Sequence, residues 1–165
     1  GNGGEGSGSD GSTAKQHDDS GGGSAQFKAK GGDNSVQEFG SEASGSEFDQ
    51  AAAAVHGFFD ARVRGDWEAA CSYLAADVSK SLQQLGGKSD ELEAAGCAKT
   101  LEAISEGVPA SAFKEAAKAD IGSLRVDGDQ AFVIYVGAQQ VVLAMPMKDE
   151  DGTWKVASLA GTPLS

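Results

Sequence analysis

Basic residues are scarce in this sequence. It has 13 Lys and Arg against 25 Asp and Glu, which gives a formal net charge of −12 at pH 7. Contacts to nucleic-acid phosphates need clustered Lys and Arg, so this composition argues against a nucleic-acid-binding function and disfavours adhesion to anionic lipid. Apolar runs are also short. None approaches the roughly 20 residues that a helix needs to span a bilayer, so we expect no transmembrane helix.

Cysteine is equally rare, with one residue at Cys71 and one at Cys97. Neither lies in a Cys-x-x-Cys pair or near a His-rich tract, so the spacing predicts no metal site and no thioredoxin-type chemistry. We expect a disulfide, because adjacent antiparallel helices would bring the two within bridging distance, and a disulfide indicates an oxidising compartment. The alternative is two buried free thiols that pack as small hydrophobic side chains. No cofactor motif is recognised.

Glycine is concentrated at one end of the chain, since residues 1–46 hold 13 of the 24 glycines. A segment of this Gly/Ser-rich composition buries too little apolar surface to offset its ordering entropy, so we predict a flexible tether at 1–46. Residues 35–44 are the part expected to pack on the domain, through Val36 and Phe39. The sequence does not begin with Met, and we expect an upstream segment before Gly1.

Helical periodicity governs the first half of the domain. It predicts two helices that meet at Gly65, which tolerates the left-handed conformation ending the first, while Asp66 caps the second. Predicted helices lie at 47–64, 66–85 and 90–106, with a short helical turn at 112–118.

The apolar period then changes to two, which is typical of strands. Predicted strands lie at 121–126, 130–136, 139–147 and 153–159, and Asp127-Gly128 is the strongest hairpin signal. Three helices followed by a meander indicate an α+β domain over residues 47–165. Its three N-terminal helices pack on one face of a curved antiparallel sheet of about four strands.

The middle strands are apolar on both faces. Phe132 and Ile134 point one way, while Val133 and Tyr135 point the other. An antiparallel sheet with one face in water alternates more cleanly, so something must cover the second face. The candidates are a second copy of the chain, the Val36–Phe39 segment, or curling of the sheet. We favour the first, a homodimer through the sheet.

Two stretches resemble the nuclear transport factor 2-like superfamily: the helix–turn–helix FFDARVRGDWEAACSYLAAD, and DGTWKV at 151–156. The likeness covers residues 47–165. With the cysteines and the glycine-rich tether, it is to the SnoaL-like (cystatin-like) and small exported bacterial lipoprotein branches. It implies a cone whose curved sheet wraps the helices around a cavity, and Phe59, Trp67 and Tyr135 would line that cavity. It also implies a lipid anchor upstream of Gly1, on the outer face of the cytoplasmic membrane or in the periplasm.

Catalysis in such a cavity would need a general base near a hydrogen-bond donor. The only candidates are His56 and Asp60, four residues apart on one helix, and such a pair is more often a local surface interaction. The inward strand positions are aliphatic or aromatic, with Tyr135 as the exception, which counts against catalysis.

These observations predict a non-enzymatic, exported, membrane-tethered domain that binds a small apolar ligand or an extracytoplasmic protein. One alternative is a small lyase or isomerase acting in the cavity. Another is a purely structural dimerisation domain, whose cavity would be filled by side chains, because the fold alone does not decide function.

Overall fold

A computed structural model describes residues 19–86 and 90–164 of the chain, without the side chains of residues 90–95. The helices in this part are Ser46–Arg64 (α1), Trp67–Ser72 (α2), Ala76–Gly86 (α3), Asp90–Ser105 (α4) and Ala110–Ala116 (α5). The strands are Ser41–Ala43 (β1), Asp120–Asp127 (β2), Gln130–Val136 (β3), Val142–Glu150 (β4), Thr153–Val156 (β5) and Thr162–Pro163 (β6). They form one curved antiparallel sheet in the order β1-β2-β3-β4-β5, with β6 paired to β4.

The predicted α+β class and curved antiparallel sheet are therefore confirmed, whereas the predicted numbers of helices and strands are not. Two strands were not predicted: β1, which lies in the glycine-rich region, and β6, which is two residues long. The third strand begins at Val142 instead of residue 139, because residues 138–140 form a 3₁₀ turn in which Gln139 and Gln140 have φ of 59° and 63°.

Helix α1 supplies one side of the core. Val55, Phe58 and Phe59, which are at most 2% exposed, share one helix face and pack toward the inner face of the sheet, where Val133 and Met145 are fully buried. Complete burial of side chains of this size contributes roughly 1.5–3 kcal/mol each. The helix ends as predicted: Gly65 takes a left-handed φ of 71°. The Asp66 carboxylate then caps α2 by accepting the N–H of Ala69 at 3.1 Å.

The prediction of one helix over 66–85 is wrong, because the chain leaves the helix between α2 and α3. Leu74 forms a parallel bridge with Val156. The N–H of Val156 donates to the carbonyl of Tyr73 at 2.8 Å, and the N–H of Ala75 donates to the carbonyl of Val156 at 2.8 Å. These backbone groups extend the sheet, so they are not available to an uninterrupted helix.

Residues 19–45, which belong to the predicted tether, pack on the domain, and we call them the N-terminal segment. Its strand β1 pairs with β2, and the N–H of Gly23 donates to the carbonyl of Gly122 at 2.7 Å. The ring of Phe39 meets that of Phe132 edge to face, with centroids 5.1 Å apart. Residues 1–18 lie outside the described part of the chain.

The N-terminal segment thus covers part of the second sheet face, which is the second of the three candidates from sequence. Ile134 on that face is 0% exposed without a second chain. Phe132 and Pro146 stay half-buried there. Homodimerisation through the sheet stays a prediction, which light scattering of the purified protein tests.

Glu42 holds the N-terminal segment on the sheet. Its carboxylate accepts from four donors: the N–H groups of Ser24 (2.9 Å) and Leu124 (3.2 Å), the hydroxyl of Ser123 (2.9 Å) and Nη1 of Arg125 (3.3 Å). Burial raises the pKa of Glu42, but these hydrogen bonds, led by the one from Ser24, together lower it by more than burial raises it. Its pKa therefore lies below the ordinary value of 4.5. The ionised form is therefore the one that the fold stabilises.

We predict that Glu42→Gln lowers the free energy of unfolding at pH 7 by about 1–2 kcal/mol, because a Gln amide cannot accept all of these donors. A folded-state pKa below the ordinary 4.5 means that the carboxylate stabilises the fold above that pH. This contribution is lost as the pH falls through the folded-state pKa. Urea unfolding from pH 7 to pH 3 should therefore show the two proteins converging in acid. Glu38→Gln, which breaks an exposed pair to Lys28, is the control and should change little. A constant difference at all pH values would contradict the prediction.

The predicted disulfide between Cys71 and Cys97 is present. It joins α2 to α4 across a sequence separation of 26 residues, with the Cα atoms 6.3 Å apart.

The double variant Cys71→Ser/Cys97→Ser should lose about 3–4 kcal/mol of unfolding free energy, since the disulfide limits the entropy of the unfolded chain. Urea unfolding measures this loss. Wild-type protein treated with reductant should match the variant. Two alkylatable thiols in native, unreduced protein would show that the bridge does not form.

Candidate functional site

The space between α1 and the sheet is filled by side chains, since Phe58, Phe59, Val133, Tyr135 and Met145 are at most 4% exposed. Two of the solvent-open grooves on the described surface lie beside α1 and α2. One, of about 370 Å³, lies between α1 and β5 and includes Gln50, Tyr73, Trp154 and Lys155. The other, of about 480 Å³, lies between the start of α2 and α4 and includes Trp67, Glu68, Lys99 and Glu102.

Two of the three residues predicted to line a cavity are in contact, and the third lies beside a neighbouring ring. Phe59 and Tyr135 are in contact, with ring centroids 5.9 Å apart. Trp67 is half-buried at the start of α2, and its ring centroid lies 6.1 Å from that of Phe113 in α5. Phe113 in turn contacts a residue that the sequence did not single out, Arg62.

Arg62 lies in the last turn of α1 with its guanidinium among three aromatic rings. Its central carbon is 4.6 Å from the ring centroid of Phe58, 5.2 Å from that of Phe59 and 4.9 Å from that of Phe113. Distances below about 6 Å give favourable cation–π attraction. We call Phe58, Phe59, Arg62, Phe113 and Tyr135 the Arg62 cluster. It places a cation at the rim of the apolar core.

The guanidinium of Arg62 has fewer hydrogen-bond acceptors than donors. Its Nη1 donates to the carbonyl of Leu159 at 3.2 Å, while Nε is buried and has no partner among the described residues. None of the ion pairs within residues 19–86 and 90–164 includes it. Burial lowers the pKa of Arg62 to about 10, and interaction with Tyr135 opposes that effect. The side chain therefore remains a cation at neutral pH.

Tyr135 is the polar group of β3 that faces this cation. Burial raises the pKa of its phenol to about 12, against the opposing effects of Arg62 and of a hydrogen bond from the backbone of Gly161. The hydroxyl is thus a neutral group at pH 7. Neither Arg62 nor Tyr135 can act as a general base in these protonation states.

His56, the first of the two weak catalytic candidates, is not a member of the Arg62 cluster. It is 7% exposed, and its Nε2 is 3.1 Å from Oδ1 and 3.2 Å from Oδ2 of Asp19. Oδ1 of Asp19 also accepts the N–H of Ile121 at 2.8 Å. Contact with His56 therefore helps to fasten the N-terminal segment. Asp60 is half-buried one turn later, and its role as a partner of His56 stays a prediction.

Sequence reasoning missed Arg62 and Phe113. The signal for Arg62 was present: it follows Phe58 and Phe59 by four and three residues, and a helix places such residues on one face. The approach of Phe113 had no such signal, since α5 is distant in sequence and only the fold brings it to α1.

Among the described residues, no group of three or more His, Cys, Asp or Glu side chains could hold a metal ion. Within the same part of the chain, no helix is both long and apolar enough to cross a membrane. Comparison with known proteins finds no matching family model, no matching curated protein and no matching solved structure.

We predict that Gly161→Ala destabilises the protein by about 1–3 kcal/mol, as overpacking of a filled core does. A β-carbon at this position would collide with the hydroxyl of Tyr135 and lie 3.2 Å from Cβ of Leu143. Thermal unfolding measures the loss. Tyr135→Phe removes the colliding oxygen, so the double variant should recover part of it. If Tyr135→Phe and Gly161→Ala are simply additive, the two groups do not meet as described.

Proposed function

We propose that this chain is a non-enzymatic binding domain in which a small apolar ligand is held at the Arg62 cluster. The observation that carries the proposal is the Arg62 guanidinium, fixed between aromatic rings with an unused buried donor. A fixed polar group within an apolar surround is the usual composition of a ligand site. The proposal includes the cone-shaped, nuclear transport factor 2-like architecture that the two sequence stretches resemble.

Binding fits the described groups better than a lyase or isomerase reaction does. The interactions that shift the pKa values of Arg62 and Tyr135 come from burial, from each other and from backbone, with no carboxylate or imidazole in either set. A proton-abstracting site needs such a base within hydrogen-bond reach. The cluster therefore supplies recognition groups without a base.

Helix α5 covers one side of the Arg62 cluster, and it is the element that a ligand would displace. It packs against α1, contains no buried residue, and reaches the cluster through the half-buried ring of Phe113. Elements with few buried contacts open at low free-energy cost. A ligand that took the place of the Phe113 ring would contact Phe58 and Phe59 and lie beside Trp67.

The proposed location is extracytoplasmic, with the chain held at a membrane by a lipid anchor upstream of Gly1. The Cys71–Cys97 disulfide supports an oxidising compartment. The glycine-rich composition of residues 1–18 supports a tether.

A structural dimerisation domain is the second candidate, favoured by the filled space between α1 and the sheet. In that case the half-buried Phe132 and Pro146 of the outer sheet face would lie in the dimer interface. Such a protein would be a dimer in light scattering and would bind no small ligand at the Arg62 cluster.

We predict that 1-decanol, a neutral apolar probe used below its solubility limit, binds with one site per chain. Phe113→Ala should bind it about tenfold more tightly, because the ligand then has no ring to displace. Isothermal titration calorimetry measures the affinity, and the change in tryptophan emission, to which Trp67 and Trp154 both contribute, accompanies it. Val63→Ala, an exposed position on α1 (38% exposed), is the matched control and should behave as wild type.

If the wild-type protein and Phe113→Ala bind decanol with equal affinity, the ligand does not bind at the Arg62 cluster. Failure of amphiphiles of any charge to bind either protein would overturn the proposed function.

A further inference from the structure

We propose that the ligand carries a carboxylate, and that this carboxylate pairs with the guanidinium of Arg62 while the apolar body of the ligand replaces the ring of Phe113. The inference rests on the proposed function and assigns its chemical class: an anionic amphiphile of the fatty-acid type. Three features of the site lead to it.

The first feature is an unmatched charge. Arg62 is half-buried, it stays cationic at neutral pH, and no described carboxylate pairs with it. Removing a cation from water is costly unless an anion or a full set of hydrogen bonds compensates. The rings of Phe58, Phe59 and Phe113 compensate only in part, because cation–π attraction is weaker than an ion pair with two hydrogen bonds. An external anion would supply the rest.

The second feature is the edge of the guanidinium that remains unused. Nη1 donates to the carbonyl of Leu159, Nε is buried without an acceptor, and none of the hydrogen bonds among the described residues involves Nη2. Nε and Nη2 form one edge of the planar group and match the two oxygens of a carboxylate in fork geometry. The carbonyl of Leu159 and the three rings hold that edge in a fixed orientation.

The third feature is the neutral surround. Tyr135, the nearby polar side chain, keeps its proton at pH 7 because its pKa is about 12. It therefore adds no negative charge that would repel a carboxylate. The remaining members of the cluster are phenylalanines, which suit the chain of an amphiphile and offer no competing acceptor.

The experiment compares three ten-carbon probes below their critical micelle concentrations at pH 7.5: decanoate, 1-decanol and decyltrimethylammonium. Calorimetric titrations use wild-type protein, Arg62→Met, Arg62→Lys and Arg64→Met. Arg64 is the matched control, because it lies two residues further along α1, is 57% exposed and pairs with Asp66 at 3.8 Å.

We expect wild-type protein and Arg64→Met to bind decanoate at least about tenfold more tightly than decanol, as a charge-assisted pair with two hydrogen bonds would provide. Decyltrimethylammonium should bind most weakly. Arg62→Met should lose the preference for decanoate and keep its affinity for decanol. Arg62→Lys retains the charge without the two-donor edge and should lose most of the preference, which also covers the case in which Arg62→Met does not fold.

Equal binding of decanoate and decanol by wild-type protein would overturn the carboxylate assignment while leaving the proposed function standing. A preference for decanoate that survives in Arg62→Met, or that disappears in Arg64→Met, would overturn the role of Arg62. Absence of binding by all three probes would overturn the proposed function together with this inference.

Discussion

The burial of one face of α1 against the inner face of the sheet is the interaction on which the rest of this structure depends. Phe58 and Phe59, at 0% and 2% exposed, are the largest side chains that α1 places in the core. Arg62 follows them at helical spacing on the same face. No packing that buries both rings can therefore turn Arg62 to the opposite side of the helix. The same contact that closes the core thus carries a cation to its rim.

The treatment of charge elsewhere in the molecule shows why Arg62 stands out. Glu42 is also removed in part from water, but four donors surround its carboxylate and hold its pKa below 4.5. Its network does a structural task, since it fastens the N-terminal segment to β2. Arg62 has one carbonyl acceptor and aromatic rings. The more exposed Glu42 thus has four donors, while the more deeply buried Arg62 has one acceptor. This contrast supports the proposal that an external group pairs with Arg62.

How much of this arrangement the sequence predicts depends on how far apart in the chain the contacting residues are. The Asp66 cap and the turn at Gly65 were predictable because the interacting groups are neighbours in the chain, and the disulfide because the chain has two cysteines. The break at Tyr73–Ala75 was not, since Val156 of β5 causes it. Nor was the contact of Asp19 with His56, because a carboxylate within a glycine-rich stretch carries no periodicity. The candidate site is predictable only in part: the sequence points to Phe59 and Tyr135, and to Trp67 beside them, but not to Arg62 or Phe113.

The net charge of −12 sets the conditions under which an anionic ligand can use this site. At long range the protein repels anions, but the repulsion between exposed charges is screened beyond a Debye length of about 8 Å at physiological ionic strength. A pair formed at the partly buried Arg62 is screened much less. Salt should therefore weaken the long-range repulsion more than the short-range attraction. An anion without an apolar body gains too little at Arg62 to offset the repulsion and the loss of its hydration. If the proposed site exists, the acidic surface would favour amphiphiles over small inorganic anions, because the apolar contacts would supply the affinity and the guanidinium the selectivity.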